Sequence, residues 1–312
     1  MKIAFVFPGQ GSQSVGMLDS FAGNEVVQDL LARGNEALGE DLARLIAEGP
    51  ADQLALTVNT QPAMLAAGVA VYRAWIGAGG PAPAMVAGHS LGEYSALTAA
   101  GSISLEAALR LVRFRAQAMQ EAVPAGSGAM AAILGLDDEV VVRACTEAAQ
   151  GEVVEAVNFN APSQVVIAGH AAAVTRACAA AKALGAKRAV PLAVSAPFHS
   201  SLLAPVALRL RERLRDESIA WPSIAVVNNV DVAFESEPDR IRDALARQAA
   251  SPVRWAEIIR AMAAGGVTHV VECGPGRVLS GLTKRIVPEL ESLAISSPDS
   301  IAEALERLKE LP

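Results

Sequence analysis

The stretch VAGHSLGEY, residues 86–94, places a serine between two glycines at the end of an apolar run. The residues AMVAG, 84–88, have the pattern of a buried strand, and GEYSALTAAG, 92–101, resumes helical periodicity. A strand, a sharp turn and a helix form the context in which a GxSxG serine is exposed as a nucleophile. We therefore predict that Ser90 is a nucleophile, flanked by Gly88 and Gly92 because side chains there would collide with the neighbouring strand and helix.

The composition favours an α/β protein. The chain has 312 residues, of which 52% are hydrophobic and only 4% are aromatic. A core of Ala, Val, Leu and Ile suits buried parallel strands and close-packed helices. The formal charge of −7 argues against a general nucleic-acid surface. Charged residues interrupt each apolar run before it reaches the ~20 residues of a membrane span, so we expect no membrane segment.

The cysteines and the N-terminal sequence predict a cytoplasmic location. Cys145, Cys178 and Cys273 are widely separated and have no CxxC spacing, which favours reduced thiols over a metal site or a disulfide framework. The opening MKIAFVFPGQGSQ has a short apolar run and no Ala-x-Ala-like cleavage site, so we expect a first strand rather than a signal peptide.

The order of predicted elements indicates two structural units. The segment PAGSGAM, 124–130, is as rich in glycine and proline as a linker, and a β-α-β-β-α-β pattern follows it. That order predicts a ferredoxin-like α+β subdomain at 125–196, inserted into a large α/β-hydrolase-like domain formed by 1–124 and 197–312 around a parallel sheet. After the predicted strand in HVVECGPG, 269–276, we expect only a C-terminal helix.

A nucleophilic serine needs a base, and His199 is the histidine best placed to be one. His89 precedes Ser90 directly, but neighbouring side chains around a tight turn point in different directions. His199 lies in SAPFHSS, 195–201, where the chain returns from the insert to the main domain and faces the same predicted cleft. A histidine in a surface loop remains the alternative. No aspartate stands out as a third member, so an amide or carbonyl group is expected to orient His199.

Seven motifs together resemble the malonyl-CoA:acyl carrier protein transacylases of fatty acid synthesis. They run in that family's order over nearly the whole chain. The motifs are FVFPGQGSQ (5–13), NTQPA (59–63), GHSLGEY (88–94), PFHS (197–200), VVNNVD (226–231), RQAASPVRW (247–255) and ECGPGRVL (272–279).

The resemblance implies ping-pong acyl transfer. Ser90 would take the malonyl group from malonyl-CoA as an ester and pass it to the phosphopantetheine thiol of acyl carrier protein. His199 would act as base and then as acid, held by the backbone carbonyl of Gln248. The family's oxyanion hole corresponds here to the backbone amides of Leu91 and Gln10. Leu91 is also expected for this role from the residues alone, since its N–H lies free at a helix N-terminus.

The resemblance also implies two substrate-binding residues. A guanidinium pairs with the free malonyl carboxylate in bidentate fashion, and the segment LVRFRAQAM, 111–119, points to Arg115 for that role, with Arg113 as the residue most easily confused with it. Without the family, both arginines fit helix-surface charges. Phe198, just before the histidine, resembles the malonyl type of acyltransferase, because its ring fills the space that an α-methyl group would need.

The implied partner, acyl carrier protein, is strongly acidic, so this acidic chain needs local cations near the cleft mouth. Each of the candidate docking cations also fits an ordinary surface position. They are Lys187, Arg188, Arg277, Lys284 and Arg285. The family suggests no metal and no cofactor, since the CoA thioester is a substrate, and we expect a monomer.

Three other functions use some of these motifs. A serine esterase or thioesterase shares the elbow and the histidine, but an arginine that binds a substrate carboxylate has little use in a general esterase. A non-catalytic module that binds carrier proteins would be expected to lose Ser90, His199 or Arg115, and all three are present. A free-standing polyketide-synthase acyltransferase shares both chemistry and motifs, so only its partner distinguishes it.

Overall fold

The computed structural model describes residues 2–124 and 126–309. Within these residues nine strands form two separate sheets. In chain order the strands are β1 Ile3–Phe7, β2 Met85–Gly88, β3 Gly128–Leu134, β4 Val154–Ala161, β5 Gln164–His170, β6 Arg188–Pro191, β7 Ala225–Val227, β8 His269–Cys273 and β9 Glu291–Ile295.

Helices surround both sheets. In chain order they are α1 Glu25–Leu38, α2 Leu42–Glu48, α3 Ala51–Ala55, α4 Thr57–Gly77, α5 Gly92–Ala99, α6 Leu105–Glu121, α7 Asp138–Ala149, α8 Ala171–Ala183, α9 Ala204–Arg215, α10 Pro238–Gln248, α11 Trp255–Ala264, α12 Val278–Ile286 and α13 Pro298–Lys309. Two 3-10 turns cover Asp19–Phe21 and Ser201–Leu203.

The larger sheet is parallel, with strand order β7-β2-β1-β8-β9. Every residue of β1, β2 and β8 is buried. Burial on both faces explains why these strands read as continuous apolar runs rather than alternating ones. Because the strands are parallel, their carboxyl ends meet at one edge, and Ser90 follows the end of β2 there.

The smaller sheet is antiparallel, with order β4-β5-β3-β6. Counted within the unit, its strands lie in the order 2-3-1-4, which is the ferredoxin-like topology. The predicted fold class, a parallel-sheet α/β body with a ferredoxin-like insert, is therefore confirmed. The boundaries at 124/125 and 196/197 stay a prediction, and Ala125 lies outside the described residues.

Strand β9 was not expected from the sequence, which predicted only a helix after β8. It pairs in parallel with β8 at the edge of the sheet, from His269↔Glu291 to Cys273↔Ile295. Its burial is partial, with an exposed glutamate at its start and full burial only at Ile295. A short, half-exposed edge strand has neither the long apolar run nor the alternation that identifies a strand.

The two units meet along β4. Asn158 and Val253 form an isolated parallel bridge, in which Phe159 N–H donates to the Val253 carbonyl at 3.0 Å and Val253 N–H donates to the Val157 carbonyl at 2.8 Å. This segment of the large unit covers one edge of the antiparallel sheet. The cleft that contains Ser90 lies between the two sheets.

Candidate active site

Ser90 lies in the sharp turn between β2 and α5, with a positive φ of 53°. A Cβ on Gly88 would lie 1.8 Å from the carbonyl carbon of Gly92, and one on Gly92 would lie 2.2 Å from the backbone oxygen of Phe7. No side chain fits such spaces, so both positions require glycine. The structure thus places Ser90 in the strained elbow that its sequence context predicts.

The Ser90 hydroxyl contacts a buried histidine. Ser90 Oγ lies 2.7 Å from His199 Nε2, and His199 Nδ1 lies 2.8 Å from the backbone carbonyl oxygen of Gln248. Because a carbonyl only accepts, Nδ1–H donates to Gln248, which leaves Nε2 to accept from the serine O–H. The structure therefore brings together the serine, histidine and glutamine carbonyl that the sequence analysis named.

Burial keeps His199 neutral. Its side chain is almost fully buried, and its backbone φ is 66°. Burial, assisted by the positive charge of Arg115, lowers the pKa of His199 to about 3. The imidazole is consequently neutral across the physiological pH range, with Nε2 unprotonated.

Leu91 and Gln10, the two residues expected to form an oxyanion hole, border the cleft of Ser90. Leu91 precedes α5, and Gln10 lies in the loop after β1. That loop approaches the elbow closely, since a Cβ on Gly9 would lie 2.8 Å from the carbonyl oxygen of His89. Within the described part of the chain, neither the Leu91 nor the Gln10 N–H has a hydrogen-bond acceptor. Both residues line the same cleft as Ser90, which agrees with the expected role without testing it.

Arg115 projects from α6 into the site and is 1% exposed. Its Nη1 donates to Gln61 Oε1 at 2.9 Å, and its Nη2 donates to Gln248 Oε1 at 2.9 Å and to Ser90 Oγ at 3.0 Å. The guanidinium also lies 5.7 Å from the centre of the Tyr94 ring. Among the described residues, no carboxylate lies within ion-pair distance of it. The site thus contains a buried cation held only by neutral groups.

Arg113, the alternative for this role, lies elsewhere. Both of its Nη atoms donate to the Glu40 carboxylate, at 2.7 and 2.8 Å. Glu40 is half-exposed and the Arg113 side chain is 16% exposed, so the pair reaches solvent through its carboxylate. The structure therefore shows which of the two arginines contacts Ser90. The sequence of the helix alone could not show this.

The cleft has a volume of about 340 Å³. The parallel-sheet unit lines it with polar groups, including Gln10, Gln61 and Arg115. The other side comes from Met130 and Asn158 of the antiparallel sheet and from residues 192–194 beyond β6. Phe198 is half-buried at the junction and packs against the apolar groups of both units.

Sequence reasoning missed several residues that support this site. Asn229 is fully buried; its Oδ1 accepts from Ser90 N–H and its Nδ2 donates to the Gly88 carbonyl, both at 2.7 Å. Glu93 Oε2 accepts from Asn229 N–H at 3.0 Å and from Gln248 Nε2 at 2.8 Å. Burial raises the pKa of Glu93 to about 7. Both residues lie in motifs quoted above. The available signal was Glu93, a carboxylate within the apolar helix that follows Ser90.

His89 does not contact the serine hydroxyl. Its Nε2 lies 2.8 Å from Asn160 Oδ1, and its ring centre lies 5.5 Å from that of Trp255. Burial lowers the pKa of His89. The residue therefore connects the elbow to β4 and α11.

The five cations considered for docking are exposed but not equivalent. Lys187 and Arg188 lie at the start of edge strand β6, a few residues before the cleft wall. Arg277 and Lys284 line a shallow polar groove near α13. Arg285 donates to Gln164 and, at 3.0 Å, to the Pro162 carbonyl, so its guanidinium is engaged in joining the two units.

Over residues 2–124 and 126–309, no cluster of three or more His, Cys, Asp or Glu side chains has the geometry to hold a metal ion. No helix in the described chain combines the length and apolarity needed to cross a membrane.

Comparison with known proteins agrees with this geometry. A model of the acyl transferase domain matches residues 4–297. The malonyl CoA-acyl carrier protein transacylase of Escherichia coli (strain K12) is 56% identical over 306 residues, which cover 98% of this chain and 99% of that protein.

Solved structures agree as well. An acyl-carrier-protein S-malonyltransferase from Burkholderia pseudomallei 1710b is 62% identical with a TM-score of 0.97, over 98% of this chain and 100% of that one. A malonyl-transacylase in complex with a type II PKS acyl-carrier protein is 51% identical with a TM-score of 0.97, over 98% and 100%. The chain therefore belongs to the acyl transferase family, among the malonyl CoA-acyl carrier protein transacylases.

Proposed function

We propose that this protein transfers the malonyl group of malonyl-CoA to the phosphopantetheine thiol of acyl carrier protein, through an ester on Ser90, and so supplies extender units for fatty acid synthesis. One observation carries the proposal. A buried arginine that has no carboxylate partner donates to the hydroxyl of a nucleophilic serine at 3.0 Å. A substrate that brings its own carboxylate next to the reacting carbonyl provides that partner.

In the first half-reaction Ser90 Oγ attacks the thioester carbonyl while His199 Nε2 takes the hydroxyl proton. The developing oxyanion accepts from the N–H groups of Leu91 and Gln10. When the tetrahedral intermediate collapses, the C–S bond breaks and His199 returns the proton to the departing CoA thiolate. The products are malonyl-Ser90 and free CoA.

The second half-reaction reverses the first with a different thiol. The phosphopantetheine thiol gives its proton to His199 and attacks the ester carbonyl, and the histidine then protonates Ser90 Oγ as it leaves. The Gln248 carbonyl accepts from Nδ1–H throughout, so it stabilises the imidazolium formed in each step. A carbonyl in this position does the work that a carboxylate does in a Ser-His-Asp triad.

Arg115 and Phe198 select the acyl group. The planar guanidinium binds the malonyl carboxylate with two parallel hydrogen bonds, which acetyl-CoA cannot accept. Phe198 fills space at the junction of the two units, where an α-methyl substituent would have to fit. Exclusion of one methyl group contributes only about 1–3 kcal/mol, so methylmalonyl-CoA is disfavoured rather than refused.

Docking of the acidic carrier protein is assigned to Lys187 and Arg188, with Arg277 and Lys284 as a second group. Lys187 and Arg188 are supported by their exposure and by their short distance along the chain from the cleft wall at 192–194. Arg285 is the weakest of the five, because its guanidinium already binds Gln164 and the Pro162 carbonyl. The solved complex of a similar transacylase contains a polyketide carrier protein, which keeps a polyketide carrier as the alternative partner.

We propose that the protein works as a monomer in the cytoplasm and needs no cofactor besides its CoA thioester substrate. All three cysteines are free thiols, Cys145 and Cys273 being buried, as is usual in a reducing compartment.

The substitution Arg115→Ala tests this function. It should lower kcat/KM for malonyl-CoA by roughly 100-fold, since two hydrogen bonds to a charged group are lost, and should change that for acetyl-CoA much less. Arg113→Ala is the matched control, because it removes a guanidinium from the same helix at the surface. Equal losses with both thioesters in the Arg115 variant would contradict the assignment.

A further inference from the structure

The side-chain amide of Gln248 connects several parts of the site. Its Oε1 accepts from Arg115 Nη2 at 2.9 Å, and its Nε2 donates to the Ser90 carbonyl at 2.9 Å and to Glu93 Oε2 at 2.8 Å. The two ends of an amide are nearly identical in shape, so the partners alone decide which end faces the arginine. If the amide were reversed, its NH₂ group would face the guanidinium, donor against donor.

Two acceptors oppose such a reversal, the Ser90 carbonyl and the Glu93 carboxyl group, and Glu93 is the one that a side chain provides. Its Oε2 accepts from Gln248 Nε2 and from Asn229 N–H, and its carboxyl group is 2% exposed. The neighbouring residue Asn229 holds the elbow through the Gly88 carbonyl and the Ser90 N–H. One buried carboxyl group therefore links the strained turn of the nucleophile to the amide that holds the arginine.

We infer that Glu93 is a positioning residue: as a hydrogen-bond acceptor it fixes the Gln248 amide with its oxygen toward Arg115, and so aligns the guanidinium for the acyl carboxylate. The inference rests on the proposed function, in which Arg115 reads the malonyl group.

The role belongs to the acceptor oxygen rather than to the charge. Glu93 makes no ion pair among the described residues, although its charge and that of Arg115 attract each other at longer range. Its two hydrogen bonds go to neutral N–H groups. Burial raises the pKa of Glu93 to about 7, and the protonated carboxyl group retains a carbonyl oxygen that accepts. An amide side chain of the same length provides the same oxygen.

Three variants test this distinction: Glu93→Gln, Glu93→Asp and Glu93→Met. The first keeps an acceptor at the same reach, the second keeps the charge but is one methylene shorter, and the third keeps the length without any acceptor. The measurement is kcat/KM with malonyl-CoA and with acetyl-CoA, because a loss of folded enzyme lowers both together while a misaligned Arg115 lowers the malonyl-to-acetyl ratio.

The ratio should stay near that of the unmodified enzyme in Glu93→Gln, fall in Glu93→Asp, and fall by about tenfold or more in Glu93→Met. Glu272→Met is the matched control. Glu272 is an equally buried carboxylate that accepts from the N–H groups of Leu279 and Ser280, so its loss should lower stability without changing the ratio. If Glu93→Met does not fold, Glu93→Gln and Glu93→Asp still test the inference, because the ratio should stay in the first and fall in the second.

An unchanged ratio in Glu93→Asp and Glu93→Met, or a ratio that falls in Glu93→Gln and not in Glu93→Asp, would overturn the inference. Arg115→Ala in the same assay distinguishes a failure of the role of Arg115 from a failure of the positioning role of Glu93. If Arg115→Ala leaves the ratio unchanged, the role of Arg115 in the proposed function is wrong. If it lowers the ratio and the Glu93 variants do not, only the positioning role is wrong.

Discussion

The parallel and the antiparallel sheet border the same cleft but contribute to it in different ways. The core strands of the parallel sheet are buried on both faces, and the chain places Ser90, Leu91 and Gln10 in the turns after them. The antiparallel sheet packs one face against α7 and α8 and turns the other, with Met130, Val157 and Val166, toward the cleft side. The parallel-sheet unit thus contributes Ser90 and Arg115 to the cleft, and the antiparallel sheet contributes a wall.

The largest expected difference between the two units concerns glycine. Gly88→Ala should prevent stable folding or cost more than about 4 kcal/mol, since its Cβ would overlap the backbone of Gly92. Gly151→Ala, in the turn before β4, also meets a positive φ, of 88°, but has no atom within 4 Å of the added Cβ. It should cost about 1–2 kcal/mol. Thermal denaturation measures both losses, and equal losses would mean that the space around the two glycines does not set the cost.

A second contrast compares two histidines. His199→Ala should slow formation of the acyl-enzyme by roughly 1000-fold, because Ser90 loses its base. His170→Ala, in the antiparallel unit, removes only an acceptor for the Val153 N–H and should leave that rate unchanged. Single-turnover mixing with malonyl-CoA measures the rate. A comparable loss in both variants would mean that His170 of the antiparallel unit matters as much for acylation as His199 does.

The pH dependence of stability reports on the buried carboxyl group of the parallel unit. Folding raises the pKa of Glu93 from 4.5 to about 7, so its stabilising contribution is complete below pH 4.5 and is lost as the pH rises through 7. Glu93→Gln removes this dependence. Relative to the unmodified protein, the variant should therefore gain on the order of 3 kcal/mol of unfolding free energy between pH 4.5 and pH 8.

Urea denaturation at several pH values measures this difference. The lowered pKa of His199 acts in the opposite sense, since it reduces stability as the pH falls from 6.5 toward 3, but it is common to both proteins and cancels in the comparison. A difference that does not change with pH would mean that Glu93 titrates normally.

The smallest expected effect lies on the antiparallel unit. The double substitution of Lys187 and Arg188 by alanine should raise KM for acyl carrier protein several-fold at low salt, with less effect at high salt, because exposed charges act mainly on encounter. The rate of acylation by malonyl-CoA should not change. Arg277→Ala with Lys284→Ala is the comparison on the other unit, and a larger effect there would move the docking surface.

The sequence was sufficient for features that depend on local patterns. Ser90 and its glycines follow from a strand, turn and helix that are adjacent in the chain, and the insert follows from the order of its elements. Arg115 and Gln248 came from the family resemblance rather than from local pattern. Their contact joins residues 133 positions apart.

Hydrogen bonds between residues far apart in the chain could not be predicted either, because a local pattern does not show which residues meet in the fold. Asn229 lies 139 positions from Ser90, and nothing in VVNNVD reveals that its side chain continues the hydrogen bonding of β2. Glu93 was visible as a carboxylate in an apolar helix, but its partners were not. Strand β9 escaped prediction because edge strands are short and half-exposed.

The most direct test of the account is intact-protein mass spectrometry after brief mixing with malonyl-CoA, before and after addition of acyl carrier protein, with Ser90→Ala as the control. We expect a malonyl adduct that maps to Ser90, persists alone, moves to the carrier on its addition and is absent from the variant. An adduct that never forms, that remains in Ser90→Ala, or that decays to free malonate equally fast without the carrier would contradict it.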